Sequence, residues 1–167
     1  MKVKKAALTI LITGGLILLA GCAGEQNTID EPEITAEYLA SEYAAQLVRD
    51  GAKSCFGSID IYEDEEGTVW VDVTEKEFVE DKNQPNGFYI AYKNIESTYQ
   101  LSLEARATFL PGGSSAAVPM DALDFIEAVY RDLEEYGEDN PEYHDMKLYN
   151  IYAIDDMIEL LIAWYIP

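Results

Sequence analysis

The sequence YQLSLEARATF, residues 99–109, alternates apolar and polar side chains along its whole length. Successive side chains of a β-strand point to opposite faces, so this alternation is typical of a strand with one covered face. The apolar side consists of Leu101, Leu103, Ala105, Ala107 and Phe109. The stretch therefore predicts a sheet that is covered on one face.

Upstream, residues 54–62 and 68–74 also alternate with a period of two, and the acidic turn between them predicts a β-hairpin. Residues 88–92 are apolar and aromatic and predict a short strand. The charged segment 75–86 leads to that strand and ends in the turn signal QPNG. We therefore expect four strands before the flexible loop at residues 111–115.

Two other segments have helical spacing. In residues 35–50 the apolar positions recur three and four apart, with Thr35 as a candidate N-cap and Gly51 as a candidate C′ residue. A second predicted helix begins at Asp121 and ends at Gly137. Its apolar stripe consists of Ala122, Phe125, Ile126, Val129, Leu133 and Tyr136. We expect the N-terminal helix to pack on the outside of the sheet.

The tail, residues 147–167, allows two interpretations. Asp155 could cap a last helix, or residues 148–154 and 158–166 could form a hairpin that turns at Asp155-Asp156. The many β-favouring side chains in the tail favour the hairpin. The predicted fold class is α+β: about six antiparallel strands in a curled sheet or small open barrel, one N-terminal helix, and one long helix before a C-terminal hairpin.

The N-terminus has the layout of an export signal. Lys2, Lys4 and Lys5 precede a 13-residue apolar stretch, residues 6–18. A bilayer-spanning helix needs about 20 apolar residues, so this stretch is too short to remain as a membrane anchor. It predicts a secretory signal peptide.

The four residues that follow, Leu19-Ala20-Gly21-Cys22, resemble the lipobox of bacterial lipoproteins at every position. The resemblance implies cleavage between Gly21 and Cys22 and a diacylglyceryl anchor on Cys22. Two acyl chains hold a protein durably on a membrane, so we expect a lipid-anchored protein on the extracytoplasmic face of a cell membrane. The sequence leaves open which membrane this is if the cell has two.

The predicted organisation is a signal peptide at residues 1–21, the lipidated cysteine with a polar tether at 22–34, and one globular domain at 35–167. Without the signal peptide, 8 basic and 32 acidic side chains remain, a net charge of −24. Such a charge opposes nucleic acids, whose phosphates need Lys and Arg, and we predict no nucleic-acid partner. Cations or a basic partner surface are electrostatically easier to bind.

Acidic residues gather in three places. The run Glu63-Asp64-Glu65-Glu66 places four carboxylates at the tip of the first hairpin, where they could bind a hard cation such as Ca²⁺ or form only a solvated turn. The run lacks the spacing of an EF-hand. The two other clusters are Asp155, Asp156 and Glu159, and Glu138, Asp139, Glu142 and Asp145.

Three aromatic residues, Phe56, Tyr62 and Trp70, fall on the outward side of the first hairpin. If that face is open, they would form an aromatic platform for a sugar, a peptide or a partner strand. If it is covered, the apolar stripe of the N-terminal helix would be the covering element. Sequence spacing alone allows both arrangements.

The reactive side chains form no recognisable catalytic set. His144, the single histidine, could be a base oriented by Asp145 or a surface residue of a loop. Ser114 follows two glycines but lacks the nucleophile-elbow pattern. Cys55 lies on the inward side of its strand, which predicts a buried, unreactive thiol. We therefore predict no catalytic residues, no cofactor and no enzyme activity.

The resulting functional hypothesis is a membrane-anchored module that binds a protein or peptide partner at the cell envelope. Two alternatives stay open. A cation or small-ligand binder would need the acidic clusters to converge in space. A carboxylate-based hydrolase would need two carboxyl groups about 5 to 10 Å apart in a cleft.

Overall fold

A computed structural model describes residues 33–112, 114–137, 140 and 142–166. The predicted signal peptide, Cys22 and the tether up to residue 32 lie outside the described residues. The described part belongs to one compact unit, Pro32–Pro167. None of its helices combines the length and the apolar character that crossing a membrane requires.

The elements confirm the α+β class. Three helices are present in the described residues: α1 at residues 36–49, α2 at Ala122–Tyr136 and α3 at Tyr143–Met146. The six strands are β1 Lys53–Glu63, β2 Val69–Glu80, β3 Phe88–Phe109, β4 Val118–Asp121, β5 Leu148–Ile154 and β6 Met157–Trp164.

The strands form one mixed sheet in the order β2-β1-β5-β6-β3-β4, and β2 also pairs with β3. Five strands therefore close into a ring-like curl, and β4 adds to it through β3. The expectation of an all-antiparallel sheet is wrong at one pair, because β3 and β6 are parallel, with Gln100 opposite Met157. The curl is not an even barrel, since the long β3 pairs with β2 along its first half and with β6 and β4 near its end.

Two strand predictions were wrong in the same region. The charged residues 75–80 continue β2, and residues 88–109 form one strand of 22 residues instead of two. Here the first part of β3 pairs with the last part of β2 as a two-stranded ribbon. We call residues 76–92 the arm. Apart from the buried Lys76, charged side chains of its strands, such as Glu77 and Glu80, face solvent, which is why the sequence resembles a loop.

The arm separates from β1 at Gly57. The β1–β2 pairing ends at Gly57 opposite Glu75, and a Cβ atom at Gly57 would collide with the carbonyl oxygen of Thr74. The register of β2 against β3 shifts at the same level, and Asn94 has a φ of 55°. A bulge of this kind bends a strand and increases its twist. It directs the arm away from β1.

The main core lies between the sheet and α2. Asp121 caps this helix as predicted, since its Oδ1 accepts a hydrogen bond from the backbone N–H of Asp124 at 3.0 Å. Phe125 is fully buried, and its ring meets those of Phe109 and Tyr149 edge-on at centroid distances of 6.3 and 5.7 Å. The predicted stripe is confirmed at five of its six positions, since Ala122, Phe125 and Val129 are buried and Ile126 and Leu133 pack against the core, whereas Tyr136 is exposed.

A second apolar cluster lies outside the curl. Helix α1 begins with the Thr35 cap, contains the π-helical segment Leu39–Tyr43, and is followed by Gly51 at a φ of 103°. Its buried residues Leu39, Ala44 and Leu47 pack on Leu160 and Ile162 of β6. The helix thus covers β5 and β6. The alternative that it covers the aromatic residues of the first hairpin is wrong.

The C-terminal tail is a hairpin, as favoured from its composition. Asp155 and Asp156 have φ values of 50° and 63°, which fits a two-residue turn of type I′.

One residue of the stretch 99–109 departs from the predicted alternation: Leu103 is 71% exposed. The register between β3 and β6 shifts between Leu101 and Arg106, so the residues between them bulge out of the ladder.

The core contact of α2 gives a stability test. We expect Phe125→Ala to lower the free energy of unfolding by roughly 3–5 kcal/mol, because it leaves a cavity beneath the helix. Leu123→Ala, on the exposed side of the same helix, should change it by less than about 0.5 kcal/mol. Urea unfolding of both variants checks this expectation. Equal losses in the two variants would contradict the assigned core face.

Candidate functional site

Stacked aromatic rings hold the arm on the outer face of the sheet. The ring of Phe78 lies 5.4 Å from that of Trp164 at an angle of 20°, and it also stacks on Phe88 at 4.8 Å. Trp164 also meets Phe56 edge-on at 4.6 Å. Strands β1, β2, β3 and β6 each contribute one of these rings. Together they fix the arm above the last residues of β6.

A buried lysine makes the second attachment of the arm. Lys76 has a side chain that is 2% exposed, and its Nζ donates to the carboxylate Oδ1 and the backbone carbonyl of Asp145 at 3.0 and 2.7 Å. The same Nζ lies 4.7 Å from the centre of the Tyr92 ring. Because a buried ammonium is stable only when it is paired, these bonds tie the arm to α3.

Asp145 accepts from three side chains. Besides Lys76, Ser58 Oγ donates to its Oδ1 at 2.9 Å and Tyr92 Oη donates to its Oδ2 at 3.3 Å. Burial acts to raise the pKa of this carboxyl, but the hydrogen bonds from Lys76 and Ser58 outweigh it and hold the pKa below its ordinary value. Asp145 is therefore an ionised hub that joins β1, the arm and α3.

Lys147 makes a similar attachment on the other side of α3. Its Nζ lies 3.0 Å from Oδ2 of the buried Asp132 in α2 and donates to the carbonyl of Leu110 at 3.0 Å. The rings of Phe109 and Tyr143 lie 5.2 and 5.1 Å from this Nζ. Burial, followed by a hydrogen bond to Asp132, raises the pKa of Tyr143.

Between these attachments lies a groove of about 670 Å³. The arm forms one wall, while α3, the start of β5 and residues 164–166 form the other. Its apolar lining includes Ile90, Leu110, Met146, Leu148, Tyr165 and Ile166. Met146 is 61% exposed and Tyr165 49% exposed, so the groove offers apolar surface to solvent. We call it the arm groove.

The structure does not bring the three residues of the predicted aromatic platform together. Phe56 packs against Trp164, whereas Tyr62 lies at the far end of β1, opposite Trp70. Six positions along a strand place Phe56 and Tyr62 ~20 Å apart. Trp70 is held at the tip, where its Nε1 donates to Asp64 at 2.8 Å. Of the three platform residues, only Phe56 belongs to the group of aromatic rings that holds the arm on the sheet.

At the acidic tip, the carboxylate of Asp64 already accepts hydrogen bonds from the hairpin itself. Both oxygens of Asp64 accept hydrogen bonds, from Trp70 Nε1 and from the N–H groups of Glu66 and Thr68. The bond from Trp70, then that from Thr68, lowers the pKa of this carboxyl. Glu63, Glu65 and Glu66 surround the turn. No group of three His, Cys, Asp or Glu side chains within the described ranges is arranged to hold a metal ion.

The acidic clusters do not converge. The tip at residues 63–66 and the turn at Asp155-Asp156 lie at opposite ends of β1, because Lys53 pairs with Ala153. The 11 residues of β1 separate them by ~33 Å. In the third cluster, Asp145 forms an ion pair with Lys76. Glu138 and Asp139 of this cluster lie outside the described residues. The converging site that the cation hypothesis needs is therefore not formed by the first two clusters.

The remaining candidates have local roles. His144 is half-buried, with Nε2 3.9 Å from Oδ2 of Asp60. Ser114 bonds with the backbone of Ala116, as expected of a loop serine. Cys55 is partly buried and packs against the core, and burial raises the pKa of its thiol to about 11, an environment that fits the predicted unreactive cysteine.

Sequence reasoning missed the residues that build the arm groove. Phe78 and Lys76 lie in the charged segment 75–86, which predicts a connection, and Trp164 lies in the tail, where the sequence predicts only a strand. One signal was available in the sequence. Leu160, Ile162 and Trp164 occupy alternate positions of β6 and therefore face the same side of the sheet. A row of apolar side chains on the outer face of a central strand must be covered by another element. Helix α1 covers the first two, and the arm covers Trp164.

In comparisons with known proteins, no family model, no curated sequence and no solved structure matches this chain.

The depressed pKa of Asp145 predicts a pH dependence. A carboxyl whose pKa is lower in the folded state stabilises that state above its unfolded pKa, and the contribution is lost as the pH falls through the folded-state pKa. We expect Asp145→Asn to be less stable than the wild type at neutral pH. The difference in unfolding free energy should shrink between about pH 5 and about pH 2.

Urea unfolding across this pH range measures the difference. Glu127→Gln, an exposed neutralisation on α2, serves as the control and should show no comparable change. A difference between wild type and Asp145→Asn that stays constant down to the lowest pH would contradict the assigned role of Asp145.

Proposed function

We propose that the protein is a membrane-anchored, extracytoplasmic and non-enzymatic binding module, and that it holds a protein or peptide partner in the arm groove. The observation that carries this proposal is the groove itself: a concave, mainly apolar surface with exposed Met146 and Tyr165 in a very acidic chain. Exposed apolar surface next to polar groups is typical of interaction sites.

The polar groups around the groove support binding over catalysis. Lys76 and Asp145 neutralise each other, as do Lys147 and Asp132, and each lysine also donates to a backbone carbonyl. These side chains are committed to holding the walls in place. The groove therefore offers shape, aromatic surface and little net charge, which suits an uncharged apolar segment of a partner.

The proposed anchor rests on the resemblance of residues 19–22 to a lipobox. Lipidation of Cys22 would fix the chain to a membrane surface, and residues 22–34 would leave a short polar connection to the domain. A partner in the same envelope would then meet the arm groove at a high effective concentration, so moderate affinity for each contact would be enough.

The chain provides its own control for lipidation, because it contains two cysteines. We expect Cys22→Ala to abolish incorporation of labelled palmitate and to move the protein out of the membrane fraction. Cys55→Ala should leave both unchanged, since that thiol packs against the core. Labelling and fractionation of intact cells measure both effects. Membrane retention and label in Cys22→Ala would overturn the anchor proposal.

The groove can be tested in intact cells with a photoreactive amino acid placed at Tyr165 or at Leu103. Both positions are exposed, but only Tyr165 lines the groove. We expect a cross-link to one envelope protein from position 165, saturable as that protein is overproduced, and none from position 103. Equal cross-linking from both positions, or none from either at native abundance, would contradict the proposed binding site.

A further inference from the structure

The first half of β3 has a free edge. Among the described strands, β2 is the only partner of the stretch 88–98 of β3, through residues 88–92 and 96–98, and the parallel pairing with β6 begins only at Gln100. Backbone N–H and C=O groups of this stretch that point away from β2 therefore have no strand partner in the described part of the chain. Such a row of groups is a template for one more strand.

This edge belongs to the arm groove. Ile90 and Tyr92, which alternate along β3, line the groove from the arm side, and Tyr165 and Ile166 line it from the other. A strand laid along residues 88–92 would run between these two walls. Every second side chain of it would then point into the apolar lining, because side chains alternate along a strand.

The edge also lacks the usual protection. Exposed edge strands of natural proteins commonly carry charges or proline that prevent pairing with other chains. Residues 88–92 read Phe-Tyr-Ile-Ala-Tyr, with no charge and no proline, in a chain that has 32 acidic residues. The first charge on this strand is Lys93. An apolar, uncharged edge beside an apolar groove is the arrangement used for binding an added strand.

From these observations, and resting on the proposed function, we infer that the ligand is an extended peptide segment of a partner protein that pairs with the free edge of β3 at residues 88–92. Its alternate residues are apolar or aromatic and enter the arm groove. Lys or Arg residues flank it, because the net charge of −21 attracts basic chains and repels acidic ones. The same charge opposes pairing between two copies of this chain.

The test uses the full-length chain in lipid nanodiscs and a phage-displayed pool of random heptapeptides. We expect the selected peptides to alternate apolar residues, to carry basic flanks, and to bind saturably as synthetic peptides. N-methylation removes one backbone donor at a time. Methylation at every second position should weaken binding by at least about tenfold, while the positions between should have a small effect.

Two substitutions locate the peptide. Ile90→Lys should abolish binding, and Leu103→Lys, at an exposed site on the same strand outside the groove, should not. Hydrogen exchange of residues 88–92 should slow when the peptide is bound. If Ile90→Lys fails to fold, the N-methylation series still decides the question in the wild-type chain.

The outcomes separate this inference from the proposed function. Binding that Ile90→Lys abolishes but N-methylation does not affect would overturn strand pairing and keep the groove as a binding site. Failure to select any peptide, together with a specific cross-link from position 165, would likewise overturn only the strand-pairing inference. Failure of both experiments would overturn the proposed function as well.

Discussion

The buried ammonium of Lys76 constrains the rest of the site. A lysine without access to water is stable only if its charge is paired, and here the carboxylate and the carbonyl of one residue, Asp145, supply the partners. Because Lys76 is on the arm and Asp145 is on α3, this pair determines the distance between the two walls of the groove. Lys147 and Asp132 join α3 to α2 in the same manner. The position of the arm thus depends on a local requirement for charge neutralisation.

The sequence predicted those parts of the fold that follow from local periodicity. The caps at Thr35 and Asp121, the first hairpin and the turn at Asp155-Asp156 were all visible, because one short segment determines each of them. The parallel pairing of β3 with β6 was not visible, since it joins segments more than 50 residues apart and leaves no local pattern. The arm was missed for a different reason. Its strands face solvent in part, and charged residues there resemble a loop.

The site was predictable only in fragments. Phe56 belongs to the predicted aromatic platform and Asp145 to a predicted acidic cluster, and no sequence pattern connects Lys76 or Trp164 with them. These residues come together because β2 leaves β1 at Gly57 and crosses the outer face of the sheet, where Phe78 reaches Trp164. A bulge has a weak sequence signature. A site built by a bulge therefore has residues that can be recognised individually, while their proximity becomes evident only in three dimensions.

The parallel pair between β3 and β6 has a consequence for the order of folding. Local hairpins can form early, but the ring has to wait until β6, at residues 157–164, meets a strand that precedes it by more than 50 residues. Contacts of such long sequence separation slow folding, because the entropy of closing the loop is lost before the contact forms. While β6 is absent, the stretch of β3 from Gln100 to Ala107 lacks its parallel partner, and the core lacks the buried side chains of Ile158 and Leu161. Until its last strand is in place, the folding chain thus exposes apolar surface that favours aggregation.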